Sequence, residues 1–243
     1  MRTFGLIGFP LEHSFSPQYF SEKFQREKIT DARFISFPLA SIEVFPKLTE
    51  TNRSISGLAV TIPYKQSVIP FLDALDNEAS AIGAVNCIRF NKGKTTGFNT
   101  DWKGFYASLK PLLQPHHTHA LLLGSGGASK AVQYALARLG IEYRVVSRSL
   151  SAGAWGYPDL NEEIMKSYLL IVNCTPLGMY PHIHDSPKIP YHLLGENHLC
   201  FDLIYRPIET EFLRKAAAQH ATIKNGMEML EIQAELNWRI WNS

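Results

Sequence analysis

The chain has 243 residues, with 24 lysines and arginines against 22 aspartates and glutamates. That length buries a good core in one large domain or two small ones, and the near-neutral balance excludes nucleic acid or an anionic membrane surface as a partner held by bulk charge. No apolar stretch approaches the roughly 20 residues of a membrane span, and MRTFGLIGFPLEHS has too short an apolar run for a secretory signal. Cys87, Cys174 and Cys200 lie far apart without CxxC spacing, which fits reduced thiols in a cytosol. A soluble, cytoplasmic α/β protein is expected.

Apolar runs suited to buried parallel strands alternate with amphipathic segments. FGLIG (4–8) reads as the first strand, and Ser16-Pro17 then opens a helix as N-cap and first-turn proline, with Phe20 and Phe24 on one face. ISGLAVTI (55–62) is a second strand, and Pro63 ends it and suits the opening of another helix. GAVNCIRF and KTTGF flank the turn Asn91-Lys92-Gly93 and predict a hairpin. A helix begins near Asp101 with WKGFYASLKPLL and gives way to LLQPHHTH, a domain boundary. Beyond it, ALLLGSGGASKAVQYALARLG and EYRVVSRS read as strand, glycine turn, helix and strand, with Gly140 as the C-cap glycine. LLIVN (169–173) and HLCFDLI (198–204) add strands, and a last helix runs from Met227 to Trp241 with Met227, Leu230, Ala234, Trp238 and Trp241 on one stripe.

GSGGAS (124–129) follows a strand and opens a helix, the context in which glycines let a backbone approach a pyrophosphate. Such turns also arise for geometric reasons alone. At the end of the next strand, where an NAD-binding unit carries a carboxylate for the ribose, stand Ser147-Arg148-Ser149. A guanidinium between two hydroxyls accepts a 2′-phosphate, so NADP is the preferred cofactor; the plainer alternative is a solvated arginine.

In the first hundred residues several polar groups stand at strand ends: Ser14 and Ser16, Thr61 and Lys65, Asn86, and Asp101 at a helix start where the dipole favours a carboxylate. Each has a duller reading as cap, turn or surface residue, and spacing alone does not bring them together. HHTH (116–119) and His182/His184 lack a partner set for zinc, and no metal is expected.

The segments GFPLEHSFSP, AVTIPYK, IGAVNC, GFNTDWKG, GSGGAS, SRS, NCTPLGM, DLIYRPIET and GMEMLEIQA occur in one order along the chain. In this the sequence resembles the shikimate dehydrogenase family over essentially its whole length. The resemblance implies a two-domain α/β fold: an α/β substrate-binding domain (1–101 plus 226–243) completed by the C-terminal helix, and an inserted Rossmann-type NADP-binding domain (102–225). It implies NADP-dependent, reversible reduction of 3-dehydroshikimate to shikimate. Matching positions make Ser14 and Ser16 contacts to the substrate carboxylate, Thr61, Asn86, Tyr205 and Gln233 further substrate contacts, and Lys65 and Asp101 the catalytic pair. On the cofactor side they are Gly124, Ser125, Gly126, Gly127 and Ala128 for the pyrophosphate and Ser147, Arg148 and Ser149 for the adenosine phosphate. Thr175, Leu203 and Gly226 fall near the nicotinamide, with Asn77 contributed by the substrate domain.

The chain departs from that family in three places. Ala59 replaces the usual asparagine of NVT, Cys87 replaces the commoner threonine of GAVNT, and the segment from Arg148 to Asn173 is short, without the usual second basic residue after the Ser-Arg-Ser turn. Alanine cannot replace an amide's hydrogen bonds, so the substrate site is reorganised or its affinity reduced. A relative acting on quinate, or a module that senses NADP(H) without turnover, are the competing expectations. Retention of both Lys65 and Asp101 argues against the sensor.

Overall fold

Phe4, Leu6 and Ile7 are buried in β1 (Arg2–Gly8), the first strand of the first half. Helix α1 (Phe15–Arg26) follows, then β2 (Ala32–Pro38), α2 (Phe45–Thr51) and β3 (Ile55–Val60). Next come β4 (Ala74–Leu75), α3 (Asn77–Ile82), the hairpin β5 (Cys87–Asn91) and β6 (Lys94–Phe98), and α4 (Asp101–Leu109). The second half holds β7 (His119–Leu123), α5 (Gly127–Leu139), β8 (Glu142–Val146), α6 (Glu162–Ser167) and β9 (Leu170–Asn173). It continues with β10 (Leu199–Asp202), α7 (Glu211–Ala217), β11 (Thr222–Lys224) and α8 (Met227–Trp241). This computed structural model describes all residues of 1–243 except 13 and 149–152. Ser149, expected beside Arg148, therefore lies outside the described residues.

Two compact units result: Met1–Thr100 with Ala234–Ser243, and Asp101–Gln233. The family resemblance implied boundaries at 101/102 and 225/226; the units divide at 100/101 and 233/234, the latter inside α8, and the LLQPHHTH stretch (112–119) read as a boundary lies within the second unit. Among the described residues no helix is long and apolar enough to cross a membrane.

The first unit carries a mixed six-stranded sheet in the order β2-β1-β3-β5-β6-β4. β1 runs parallel to β2 and β3, while β5 pairs antiparallel with both β3 and β6. Alternation along β3 separates two cores. Leu58 and Val60 pack with Ile7, Phe45, Tyr64 and Ile88, whereas Ala59 packs with Phe4, Leu6, Phe20, Cys87 and Trp241. In the second core the Trp241 ring stacks on Phe4 at 5.2 Å, and its indole N–H donates to the Ile88 carbonyl at 3.1 Å. The second unit carries a parallel five-stranded sheet, β11-β10-β9-β7-β8. Its three inner strands, β10, β9 and β7, are largely apolar runs buried on both faces, as in Leu121–Leu123 and Leu170–Val172. Gly140 ends α5 in the left-handed region at φ 71°, as its place in the sequence requires.

Two local expectations are corrected. Helix α1 is capped by Ser14, not Ser16: Ser14 is extended (φ −75°, ψ 139°) and the helix is already formed at Phe15. Pro17 still falls in the first turn, where its missing N–H costs nothing. Pro63 opens no helix; 62–68 is a run of turns in which Tyr64 N donates to Thr61 O at 2.9 Å and Val68 N to Tyr64 O at 3.0 Å.

Candidate active site

In the first unit the polar candidates collect at one edge of the sheet. β1 and β3 end there, β6 ends there, and the antiparallel β5 starts there. Ser14 and the buried Ser16 stand at the N-terminus of α1 after β1. Thr61 follows β3, its N–H donating to the Ile7 carbonyl at 2.9 Å. Lys65 is half-buried in the succeeding turns, and its carbonyl accepts the Val85 N–H at 2.6 Å, which fixes it beside the residue preceding Asn86. Asn86 is buried and clamped by Thr100: its side-chain oxygen accepts the Thr100 N–H at 2.6 Å, and its amide nitrogen donates to Thr100 Oγ1 at 2.9 Å. The Thr100 hydroxyl in turn donates to Asn237 Oδ1 of α8 at 2.6 Å. Asn77 is exposed at the start of α3.

The second unit presents the C-terminal ends of its parallel strands. From β7 the chain steps to β8 on one side and to β9, β10 and β11 on the other, so the order reverses between β7 and β9, where open α/β sheets bind ligands. Gly124 adopts φ +107° there, and a Cβ on it would come within 3.0 Å of Thr175 Cγ2. Ser125 and Gly126 are exposed, and nothing lies within 4 Å of a Cβ built on Gly126. Helix α5 begins at Gly127 with neither a side-chain cap nor an acidic residue in its first turn. An open cradle of backbone N–H groups with no carboxylate of its own fits a phosphate.

Ser147 is buried after β8 and Arg148 exposed. Burial pushes the Tyr157 phenol up while the Arg148 charge pulls it down, which sets that guanidinium within electrostatic reach of Tyr157. Asp101, the first residue of α4, Gln233 and Gly226 are buried, while Leu203 and Tyr205 after β10 are half-buried. Gln233 Nε2 donates to the Leu230 carbonyl at 2.9 Å.

Behind the Thr175 turn lies a polar network that sequence reading missed. Asp202 and Asn173, the paired last residues of β10 and β9, are both fully buried. Asp202 Oδ1 accepts from Asn173 Nδ2 at 3.1 Å and from the Ile204 N–H at 3.0 Å, and Oδ2 accepts the Thr210 hydroxyl at 2.6 Å. Asn173 Oδ1 accepts both the N–H and the hydroxyl of Thr175, at 3.0 and 2.7 Å. A carboxylate closing the apolar run LCFD is the signal that could have found it, by the same logic applied to Lys65.

Burial raises the Asp202 carboxyl from 3.8 to about 6, against the three donated hydrogen bonds, which lower it. The same burial, with the Asp202 charge, pushes the thiols of Cys174 and Cys200 up, so both stay neutral. With its folded value above the unfolded one, Asp202 favours the fold fully below about pH 4, and that contribution is lost as pH rises through about 6. An asparagine at 202 keeps an oxygen toward Asn173 and Ile204 and turns its NH2 to the Thr210 hydroxyl. Asp202→Asn is expected to gain on the order of 3 kcal/mol over the parent at about pH 7.5 and little at about pH 4, read from urea unfolding. No gain at the higher pH, or a gain independent of pH, contradicts this.

In the HHTH stretch the buried His117 has a structural role. His117 Nδ1 accepts the Gln114 N–H at 2.9 Å, and its Nε2 faces the Asn197 carbonyl at 3.1 Å. Among the described residues no group of three or more His, Cys, Asp or Glu side chains is placed to hold a metal.

Residues 6–88 match the family described as the shikimate dehydrogenase substrate binding domain. The NADP(+) shikimate dehydrogenase of Desulforamulus reducens is 36% identical, covering 98% of this chain and 88% of the relative. The chain belongs to the shikimate dehydrogenase family. Its fold matches the crystal structure of shikimate dehydrogenase from Aquifex aeolicus with a TM-score of 0.88 and 34% identity, covering 100% of this chain and 92% of that one. The shikimate 5-dehydrogenase of Thermus thermophilus, solved in complex with NADP(H) and shikimate, gives 0.87 at 32% identity, covering 99% and 93%.

Against the family pattern, the departures at 59 and 87 turn out to be one feature. Ala59 of β3 lies directly opposite Cys87 of β5, on the same face of the sheet and in the same apolar core. Ala59→Asn alone would bury an amide opposite a thiol that is a poor partner. It is expected to destabilise by about 1–3 kcal/mol, and adding Cys87→Thr to recover part of the loss, in a double-mutant cycle of urea unfolding. Strict additivity would mean that the pair is not coupled.

Proposed function

We propose that the protein catalyses the NADP-dependent, reversible reduction of 3-dehydroshikimate to shikimate, with the first unit binding substrate and the second binding cofactor. The observation that carries most weight is the open glycine cradle at the strand-order reversal of the second sheet. It is supported by the hydroxyls, lysine and asparagine gathered at one edge of the first sheet and by the family relationship. A cytoplasmic setting belongs to the same proposal and agrees with three free cysteines.

Residues Gly124, Ser125, Gly126, Gly127 and Ala128 would hold the pyrophosphate, and Ser147, Arg148 and Ser149 the adenosine phosphate. Thr175, Leu203 and Gly226 would flank the nicotinamide, with Asn77 a contact from the first unit. When bound, NADPH supplies the hydride, and the protein must manage the proton on the reacting oxygen. Lys65 is assigned to donate and recover that proton, with Asp101 its carboxylate partner. Ser14 and Ser16, at the N-terminus of α1, would take the substrate carboxylate with two hydroxyls and the positive end of the helix dipole. Thr61, Asn86, Tyr205 and Gln233 would hydrogen-bond the ring substituents; the clamp on Asn86 means that its amide needs no reorganisation on binding.

A quinate-type substrate is a second reading, motivated by alanine at 59 where the family pattern has asparagine. Nicotinamide absorbance followed with shikimate and with quinate, each paired with NADP and NAD, separates the alternatives. Fastest turnover of shikimate with NADP is expected. No turnover of either substrate by protein that still binds NADPH would overturn the enzymatic function and leave a cofactor-binding module.

A further inference from the structure

We propose that Asp202 is a positioning residue for the cofactor, its carboxylate anchoring the Asn173 amide and so holding Thr175 and its turn in place against the glycine cradle. A carboxylate only accepts, so Asn173 must point its NH2 at Asp202 and its oxygen at Thr175. Both donors of Thr175, N–H and hydroxyl, are thereby committed to that oxygen, and the hydroxyl's remaining lone pairs take the Leu177 N–H at 3.3 Å. Each bond in the series has a direction: the Thr175 N–H requires the Asn173 oxygen, and the amide nitrogen facing the other way has two acceptors, Asp202 at 3.1 Å and the Leu177 carbonyl at 3.4 Å, of which the carboxylate is the nearer and the charged one. The same carboxylate orders the following loop: Ile204 donates its N–H to Asp202 and accepts the Gly226 N–H at 3.0 Å. Through Oδ2 and Thr210 it reaches the N-cap of α7, where Thr210 Oγ1 accepts the Leu213 N–H. One buried group therefore sets two turns that carry Thr175 and Leu203.

Among the described residues no cation pairs with Asp202, so it does not stand there as half of a buried salt bridge. A carboxylate in such surroundings costs stability, and the cost is offset only by what it organises. This role presupposes the NADP site proposed above.

The test titrates NADPH alone, without substrate, into the parent, Asp202→Asn, Asp202→Leu, Thr175→Val and the Leu/Val double variant, reading nicotinamide fluorescence. Asparagine retains the acceptor facing Asn173 and is expected to bind within about threefold of the parent. Leucine removes the nearer acceptor of the Asn173 amide and the partner of the Ile204 N–H, leaving those buried donors poorly satisfied, and should weaken binding by at least about tenfold, and Thr175→Val by a smaller factor. The double variant should bind no more weakly than Asp202→Leu, because both substitutions interrupt one chain of bonds. Multiplication of the two effects would indicate general destabilisation instead, and would overturn the proposal. So would a folded leucine variant with parental affinity. If Asp202→Leu does not fold, Asp202→Ser, too short to reach Asn173, gives the same comparison. A parent that binds no NADPH overturns the cofactor site and this role together; a binding parent with an indifferent residue 202 overturns this role alone.

Discussion

Lys65→Ala is expected to reduce kcat by about 10²–10⁴-fold, the range for loss of a positioned general acid–base group, while NADPH affinity stays within about twofold of the parent. The structure gives reason to expect so clean a separation. Lys65 contributes to the fold through its backbone, whose carbonyl accepts the Val85 N–H, and alanine preserves that bond. The neighbouring anchor is Tyr64, buried, with its hydroxyl donating to the Leu39 carbonyl. The lysine side chain, by contrast, is only half-buried at the polar edge of the sheet. Lys65→Arg should rescue little, because a guanidinium does not give up its proton. Stopped-flow turnover and an NADPH titration on the same preparations decide the matter: equal losses in both would make Lys65 a structural residue.

Gly226→Ala is expected to be the most damaging small substitution. A Cβ at 226 would lie 2.2 Å from the Leu203 carbonyl oxygen and 2.6 Å from its carbon, both backbone atoms that no rotamer change can clear. Leu203 cannot retreat freely, since its N–H donates to the Asn173 carbonyl at 3.1 Å, and Gly226 itself donates to Ile204. The added methyl must therefore push apart the start of α8 and the end of β10. A loss of more than about 3 kcal/mol in unfolding free energy and a weakening of NADPH binding by at least about tenfold are expected. Calorimetry and fluorescence titration measure the two. An alanine variant of parental stability and affinity would show that the backbone at 203 yields at little cost.

What could be read before the structure depended on whether a signal was local. The strands at 4–8, 119–123 and 170–173 are apolar runs buried on both faces, and the glycine turn announces itself by composition. β2, half-exposed at the sheet edge, carries no such run and passed unnoticed. Ser14 and Ser16 are equally good caps on paper; only the backbone angles choose between them. Pro63 is compatible with a helix start or a turn, and the hydrogen bonds of Thr61 and Tyr64 select the turn. The Asp202–Asn173 network and the Ala59–Cys87 pair are of another kind. Each joins residues far apart in the chain through strand register, and register comes from packing the whole sheet. Thr100 escaped for the same reason: its clamp on Asn86 exists only once β5 and β6 have paired.

The division of the chain inside α8 has a consequence for how the molecule is made. Asp101–Gln233 is one uninterrupted stretch, whereas Met1–Thr100 is completed by Ala234–Ser243. Trp238 and Trp241 from that late segment pack onto Phe4, at 5.1 and 5.2 Å, and Ala234 lines the same core. On the ribosome, the first hundred residues emerge first yet lack the aromatic side chains that fill one face of their sheet. The first unit therefore cannot complete its core until the stretch from 234 onward has been made. Until then Phe4, Phe20 and Phe24 lack the tryptophan rings they pack against in the folded protein.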